Sequence, residues 1–241
     1  MSLRSIWVHA RLWMTERPTL YPLARSLETA LGLIHAQSFC DSETDLCLEG
    51  YPACANSFLY FVFEECARRT LRVSHHTHSV ANIRRALRYG VPTLVVFRTP
   101  DDAIPSYLSR FDKDPMEATL RYVRFYRHVR EMADEVSLAS FSEVTSQAEK
   151  VVQRVATTSN LRFDLREPST LEERVRERMD NQWSQEESSL FNPRDIPLPN
   201  EDRSAAKERA RQAIQQLDVY TEAVREYERI EALNRTSESD N

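Results

Sequence analysis

The sequence predicts a single α/β domain: a short parallel sheet flanked by helices, in a three-layer arrangement, followed by a helical C-terminal extension. Three apolar runs of strand length, at residues 45–50, 71–76 and 93–97, are each followed by a polar loop and a stretch with helical periodicity. The third run, TLVVF, is continuously apolar, which is typical of a parallel strand buried on both faces.

The composition is that of a globular protein with a substantial core. The chain has 241 residues, of which 41% are hydrophobic and 29% are charged. Its 32 Lys and Arg against 37 Asp and Glu give a net charge of −5. This balance argues against nucleic acid or an anionic membrane as a partner, so any anion site must be local. We identify no signal peptide and no membrane-spanning segment.

The four cysteines predict buried free thiols. No CxxC pair occurs among Cys40, Cys47, Cys54 and Cys66, and Cys47 lies within a predicted strand. This pattern favours a reducing, cytoplasmic environment over a disulfide scaffold.

Residues 1–43 predict a helical N-terminal cover. Leu23, Leu27 and Leu31 recur at helical spacing, and so do apolar residues near Trp13. We interpret both faces as packing on the sheet rather than as a membrane anchor.

The core of the domain is predicted at residues 45–160. Gly50 forces a turn after the first strand, and a helix begins near Asn56. Ser79 suits the N-cap of the second helix, and Gly90 ends that helix.

Later elements follow from capping signals. The segment 114–117, DPME, combines an N-cap, a first-turn proline and a capping glutamate, and the helix is expected to run to about residue 134. A shorter fourth strand is expected at 136–141 and a further helix at 147–158.

Residues 161–235 predict the helical extension. It comprises a charged helix at 171–180, an extended Ser- and Pro-rich stretch at 184–199 and a last helix at 204–233, with a disordered tail at 236–241. The apolar stripe of the last helix is expected to pack on its own domain in preference to a partner helix. Its members are Ala206, Ala210, Ala213, Leu217, Tyr220, Val224 and Tyr227.

Three polar loops follow the first three strands and are expected to share one edge of the sheet, where ligands of such sheets bind. The loop 50–58 joins a strand to a helix N-terminus, which suits an anion. It lacks the GxxxxGK[ST] pattern, so ATP or GTP hydrolysis is disfavoured. An ordinary buried turn is the alternative for this stretch alone.

The second loop carries His75, His76 and His78. No carboxylate or cysteine lies nearby in sequence to complete a metal site, whereas a neutral histidine can take a proton from a hydroxyl. The alternative for each of them is a structural hydrogen bond.

The third loop offers Arg98 at a strand end and Ser106 eight residues later. A guanidinium can bind a phosphate bidentately. Residues 99–102 are predicted to form a turn, with Ser106 in the first turn of the next helix. In the alternative, Arg98 pairs with Asp101 or Asp102 on the surface.

Taken together, the three loops resemble the sulfotransferase family, which uses 3′-phosphoadenosine 5′-phosphosulfate (PAPS). The segment 51–58, YPACANSF, is similar to the family's 5′-phosphosulfate loop, YPKSGTTW or YPRSANTF. The segment 98–106 is similar to its 3′-phosphate motif, R-x-P-x-D-x-x-x-S, and a strand ending in histidine lies between the two. The matching residues of that motif are Arg98, Pro100, Asp102 and Ser106.

The resemblance implies a P-loop-like fold and transfer of a sulfonate group from the co-substrate PAPS, without a metal, to a hydroxyl or amine of a small-molecule or carbohydrate acceptor. Arg98 and Ser106 would hold the 3′-phosphate, and His76 would be the catalytic base, with His75 or His78 as alternatives. The residues implied at the 5′-phosphosulfate are Tyr51, Pro52, Cys54, Ala55, Asn56, Ser57 and Phe58.

One departure from the family is Ala53, which stands where the family has Lys or Arg. That cation stabilises the leaving oxygen, and Arg84 or Arg110 could replace it. No RKGxxG-like segment occurs, and the nearest basic loop is at 192–194. One alternative function is therefore a catalytically impaired relative that binds a nucleotide or acts as an interaction module. A phosphotransferase is disfavoured, and homodimerisation is left open.

Overall fold

The computed structural model describes residues 8, 10, 12–31, 39–111, 113–165, 170–186 and 204–239. Within them, four parallel strands form one sheet in the order β2-β1-β3-β4. The strands are β1 (Leu46–Gly50), β2 (Val73–Ser74), β3 (Thr93–Phe97) and β4 (Ser137–Ser140). Every residue of β1 and β3 is buried, as expected for parallel strands covered on both faces.

Helices cover the sheet in two groups. One group packs α2 against α7 and α8, and the other packs α3 and α10 against α5. None of the helices among these residues combines the length and apolarity that a bilayer span requires. The helices are α1 (Leu20–Ala30), α2 (Asn56–Cys66), α3 (Val80–Tyr89), α4 (Pro100–Leu108), α5 (Pro115–Glu131), α6 (Phe141–Ser146), α7 (Ala148–Thr158), α8 (Leu171–Glu186), α9 (Ser204–Gln215) and α10 (Asp218–Ser239).

The capping signals in the sequence predict the helix ends correctly. The Ser79 hydroxyl accepts a hydrogen bond from the Asn82 backbone at the start of α3, and Gly90 ends α3 in the left-handed conformation. Asp114 caps α5 through the Glu117 backbone N–H. The parallel α/β sheet is confirmed.

Two elements of the core differ from expectation. β2 is only two residues long, because His76 and His78 both adopt positive φ, which takes the backbone out of the extended conformation. The chain after β4 forms the extra helix α6, whose start is a capping box between Ser140 and Glu143.

The N-terminal prediction is wrong in one respect. Helix α1 exists, but its leucines do not cover the sheet. Leu23 and Leu27 in the helix and Leu31 at its C-cap are 68%, 62% and 64% exposed. No residue of α1 is fully buried.

The C-terminal extension packs on its own domain, which is the arrangement that the sequence favours over packing on a partner helix. The predicted single helix is two helices, because the chain breaks between α9 and α10 around residues 216–217. α10 runs through Ser239, so the expectation of a disordered tail is wrong for residues 236–239. The charged helix continues to residue 186, and most of the predicted extended stretch lies outside the described residues.

Gly50, the last residue of β1, lies close to the backbone of β3. A Cβ atom added there would lie 2.5 Å from the Val96 carbonyl oxygen and 2.9 Å from Asn56 Oδ1. Moving the Val96 backbone away from such a Cβ atom would disrupt the pairing of β1 with β3. Only glycine therefore fits at the end of β1.

We therefore expect Gly50→Ala to lower the free energy of unfolding by about 3 kcal/mol, because it forces β1 from β3. Gly90→Ala is the matched control: no atom lies within 4 Å of its added Cβ, and only the positive φ is strained, which costs about 1 kcal/mol. Urea unfolding measures both values. A Gly50→Ala protein as stable as the parent would contradict the close approach.

Candidate functional site

The candidate site lies where the strand order reverses. The chain leaves β1 for β2 on one side and then crosses to β3 on the other. The loops that follow these three strands therefore meet outside their carboxyl ends, which is where open α/β sheets bind ligands. The sequence prediction that the three loops are neighbours is consistent with this topology.

The loop after β1 presents backbone N–H groups at the start of α2. Ala53 and Ala55 both have φ of 67°, in the left-handed region that residues with a Cβ rarely adopt. Ala55 is the N-cap of α2 and supplies no side-chain acceptor. The first N–H groups of α2 are thus uncapped by any side chain at the positive end of the helix dipole.

The hydroxyl of Tyr126, on α5, anchors the loop that follows β1. Tyr126 Oη donates to the Val96 carbonyl oxygen at 2.9 Å. It lies 3.4 Å from the Tyr51 backbone N–H and 3.4 Å from Cys54 Sγ. One buried hydroxyl on α5 therefore ties the loop to β3.

Several predicted site residues direct their side chains into the core. Tyr51 is buried and donates its hydroxyl to the Ala118 carbonyl oxygen at 3.2 Å. Burial raises the pKa of the Cys54 thiol to about 12. Pro52 is buried, and Phe58 is half-buried against the core. From these four residues, only backbone groups are available to a ligand at the loop.

Ser57 and His76 meet across two loops. Ser57 Oγ lies 3.3 Å from His76 Nε2. Burial, with a smaller contribution from the charge of Arg110, lowers the pKa of His76 to about 4. The His76 imidazole is therefore neutral near pH 7 and able to accept a proton.

The other two histidines have structural contacts. His78 Nδ1 lies 2.8 Å from the Gly50 carbonyl oxygen, and because a carbonyl only accepts, we assign the proton to Nδ1. The Asn56 side-chain nitrogen lies 3.3 Å from the same Nδ1. His75 stacks on Tyr60 at 4.1 Å, and burial lowers its pKa to about 3. His78 thus joins the first two loops, and His75 packs beside them.

Arg98 is held rigidly at the end of β3. Its Nη1 donates to the Ala53 carbonyl oxygen at 3.0 Å, and its guanidinium carbon lies 3.8 Å from the centre of the Phe141 ring. Its buried Nε has no hydrogen-bond partner. The guanidinium therefore retains donor capacity for an acceptor that the described protein does not provide.

The alternative in which Arg98 pairs with Asp101 or Asp102 is not observed. The Asp101 carboxylate accepts from Gln215 and Tyr220, and Asp102 accepts from Thr99. These two carboxylates therefore accept hydrogen bonds from the start of α4 and from the C-terminal helices, and not from Arg98.

The position of Ser106 differs from expectation. α4 begins at Pro100, so Ser106 is its seventh residue rather than a member of its first turn. Pro100 lacks an N–H and fits the start of the helix, which explains why the predicted turn is helical. Ser106 is half-buried and its hydroxyl makes no hydrogen bond to the part of the chain that is described.

The two candidate replacements for a cation at position 53 are far from equivalent. Arg84 donates to the Glu16 carbonyl oxygen at 2.7 Å and lies beside His128, in the contact between α3, α5 and the N-terminal segment. Arg110 follows α4. Its charge is the second cause of the lowered pKa of His76, and it partly opposes the burial that raises the pKa of Cys54. Of the two arginines, Arg110 is therefore the one whose charge acts on these site residues. The basic loop at 192–194 lies outside the described residues.

Sequence reasoning missed Glu49, a carboxyl group buried inside β1. Its Oε1 accepts from Thr77 Oγ1 and, at 2.8 Å, from Asn82 Nδ2. The backbone N–H groups of His78 and Ser79 also interact with the carboxyl group. Burial raises the pKa of Glu49 to about 7, although these hydrogen bonds lower it. The sequence feature that could have revealed Glu49 is an acidic residue within an otherwise apolar strand. Glu49 anchors the histidine loop to the central strand.

No protein-family model matches the chain, and a search of curated proteins also finds no match. In the described ranges, no group of three His, Cys, Asp or Glu side chains is placed to hold a metal ion. The chemistry of the site must be argued from its own geometry.

Glu49→Gln should change how stability depends on pH. The folded-state pKa of about 7 lies above the ordinary pKa of 4.5. The folded protein therefore binds more protons than the unfolded chain between these two pH values, and its stability falls as the pH rises through about 7. Each pKa unit corresponds to about 1.4 kcal/mol, so the parent loses roughly 3 kcal/mol there, whereas the glutamine variant does not.

Urea unfolding of parent and variant at about pH 5 and about pH 8 measures this difference. Equal losses in both proteins would show that Glu49 does not titrate in this window.

Proposed function

We propose that this protein is a sulfotransferase that moves a sulfonate group from PAPS to a hydroxyl or amine acceptor. The observation that carries the proposal is the convergence of Ser57, His76 and Arg98 on one loop, although 41 residues separate the first from the last. These are an anion-binding hydroxyl, a neutral base and a rigid guanidinium. The family resemblance assigns the same three functions to them.

Binding of the nucleotide would use two parts of the site. The uncapped N–H groups at the start of α2 and the Ser57 hydroxyl suit the 5′-phosphosulfate. Arg98, with an unpartnered buried Nε, and the unbonded hydroxyl of Ser106 suit the 3′-phosphate. Each of these groups is a hydrogen-bond donor that makes no competing contact to a carboxylate.

In the proposed reaction, PAPS supplies an activated sulfonate. His76 accepts the proton of the acceptor, and the acceptor oxygen or nitrogen forms a bond to sulfur while the bond from sulfur to the phosphate oxygen breaks. The leaving phosphate keeps the electron pair. Ser57 donates to the transferring group, and Arg110 offsets the charge that develops near the loop, a function for which Ala53 has no donor.

The absence of that donor favours a second function, in which the chain binds the nucleotide without transferring sulfonate. Ala53 contributes only its carbonyl oxygen, which accepts from Arg98. Turnover of a broad acceptor panel separates the two functions.

The first test is binding of PAP, the desulfonated product, against ATP. PAP at about a hundred times its dissociation constant should stabilise the protein by roughly 2.7 kcal/mol in a thermal-shift assay, and ATP, which lacks a 3′-phosphate, should stabilise it less. Arg98→Ala should weaken PAP binding by about tenfold or more, because a charge-assisted hydrogen bond is lost.

The matched control is Arg176→Ala, on an exposed arginine of α8 that forms an ion pair with its neighbour Glu172. PAP affinity should be unchanged there. A stronger response to ATP than to PAP in the parent would refute the proposal.

The second test concerns His76. His76→Ala should abolish transfer while PAP affinity stays nearly intact, because the base acts on the acceptor. Since the pKa of His76 is lowered to about 4, kcat/KM of the parent should fall on acidification only as the pH approaches that value, not near the ordinary 6.5.

His128→Gln, a histidine on α5 outside the site, serves as the control for a lost imidazole. A His76→Ala variant with more than about a tenth of parental turnover would rule His76 out as the base. A parent that binds PAP but transfers to no acceptor would instead support the binding protein.

A further inference from the structure

The C-terminal helix α9 packs on the first turn of α4, which begins two residues after Arg98. Arg211 Nε donates to the Asp101 carbonyl oxygen at 3.2 Å, and its Nη2 lies 3.4 Å from Asp102 Oδ1. Gln215, one turn later, donates to Asp101 Oδ1 at 2.8 Å. These contacts fix the register of α9 against the first turn of α4.

That register brings Lys207 to the same face, one turn before Arg211. Lys207 is half-buried and makes no hydrogen bond or ion pair with any residue in the described ranges. Burial, then the charge of Arg98, lowers the pKa of Lys207, with smaller effects from Arg211 and Arg110 and an opposing one from Asp102.

The result is a local excess of positive charge in an acidic chain. The charges of Arg98, Arg110 and Arg211 all act on Lys207. Arg211 is itself paired with Asp102 and Glu208, so the excess of positive charge comes from Arg98, Arg110 and Lys207. Like charges brought together repel, and an anion with two negative charges relieves that repulsion. The chain has three lysines, so its half-buried, unpaired lysine stands out.

We propose that Lys207 is a ligand of the 3′-phosphate, contributed by the C-terminal extension to the Arg98 site. The inference rests on the proposed function and deepens it: the nucleotide would be recognised by two separate parts of the chain, the sheet edge and α9. A phosphate monoester dianion between Arg98 and Lys207 would join α9 to the core. Lys207 is then a specificity determinant for nucleotides that carry a 3′-phosphate.

Isothermal titration with PAP and AMP tests the proposal, because AMP shares the 5′-phosphate and lacks the 3′-phosphate. Lys207→Gln should weaken PAP binding by about tenfold or more and leave AMP binding unchanged. Lys207→Arg, which keeps the charge, should retain most of the PAP affinity. Lys150→Gln, on an exposed residue of α7, is the control for the loss of one positive charge.

The outcomes separate this inference from the proposed function. A parent that binds PAP tightly, with Lys207→Gln binding it equally well, overturns the inference and leaves the proposed function intact. Equal losses for PAP and AMP also overturn it, because Lys207 would then only support the fold of α9. A parent that does not bind PAP refutes both.

Acylation of the lysines gives a second readout that does not need a variant. PAP should slow the acylation of Lys207 severalfold and should not change the acylation of Lys150. The folded protein is acylated with and without PAP, and mass spectrometry measures the rate at each lysine. Undiminished acylation of Lys207 in PAP-saturated protein would contradict direct contact.

Discussion

The close approach of β1 to β3 at Gly50 determines the geometry of the carboxyl edge. The Val96 carbonyl oxygen, which faces Gly50, also accepts the hydrogen bond from Tyr126, and the Gly50 carbonyl oxygen receives His78. Two consecutive loops are thus fixed by backbone carbonyl groups at the adjacent ends of β1 and β3. These contacts, together with the 3.3 Å contact between Ser57 Oγ and His76 Nε2, hold the side chains that would act on a ligand.

A buried polar layer beneath the loops makes this arrangement specific. Glu49 accepts from Thr77 and Asn82, and Asn82 also donates to Ser74 at 2.9 Å. Buried polar groups of this kind are costly unless they are satisfied, so they favour one arrangement of the loops over its alternatives. Backbone N–H groups of His78 and Ser79 also interact with the Glu49 carboxyl group and lower its pKa, so the polar layer extends to the histidine loop.

Local signals in the sequence predicted the fold well, whereas contacts between distant elements were not predictable. Helix caps such as Ser79 and Asp114 and the apolar strand 93–97 depend on neighbours a few residues away. The contact of Phe141 with Arg98 and the hydrogen bond of Tyr126 below the loop depend on tertiary packing, which produces no periodic pattern in the sequence.

Amphipathic patterning was misleading in one helix and incomplete in another. The leucine periodicity of α1 correctly indicates a helix, but periodicity does not state whether the apolar face is covered. In the C-terminal extension, the alternating spacing of four and three residues continues across the break between α9 and α10. It therefore predicted one helix where the chain forms two.

Helix α1 has a consequence for how the molecule opens. An eleven-residue helix is marginal in water unless packing supports it, and α1 buries no side chain completely. Its local unfolding therefore costs far less free energy than disruption of β3, whose residues are all buried. Opening of α1 leaves the sheet and its ligand-facing loops intact, so the backbone amides of α1 exchange with solvent before those of β3 and report on the N-terminal segment rather than on the site.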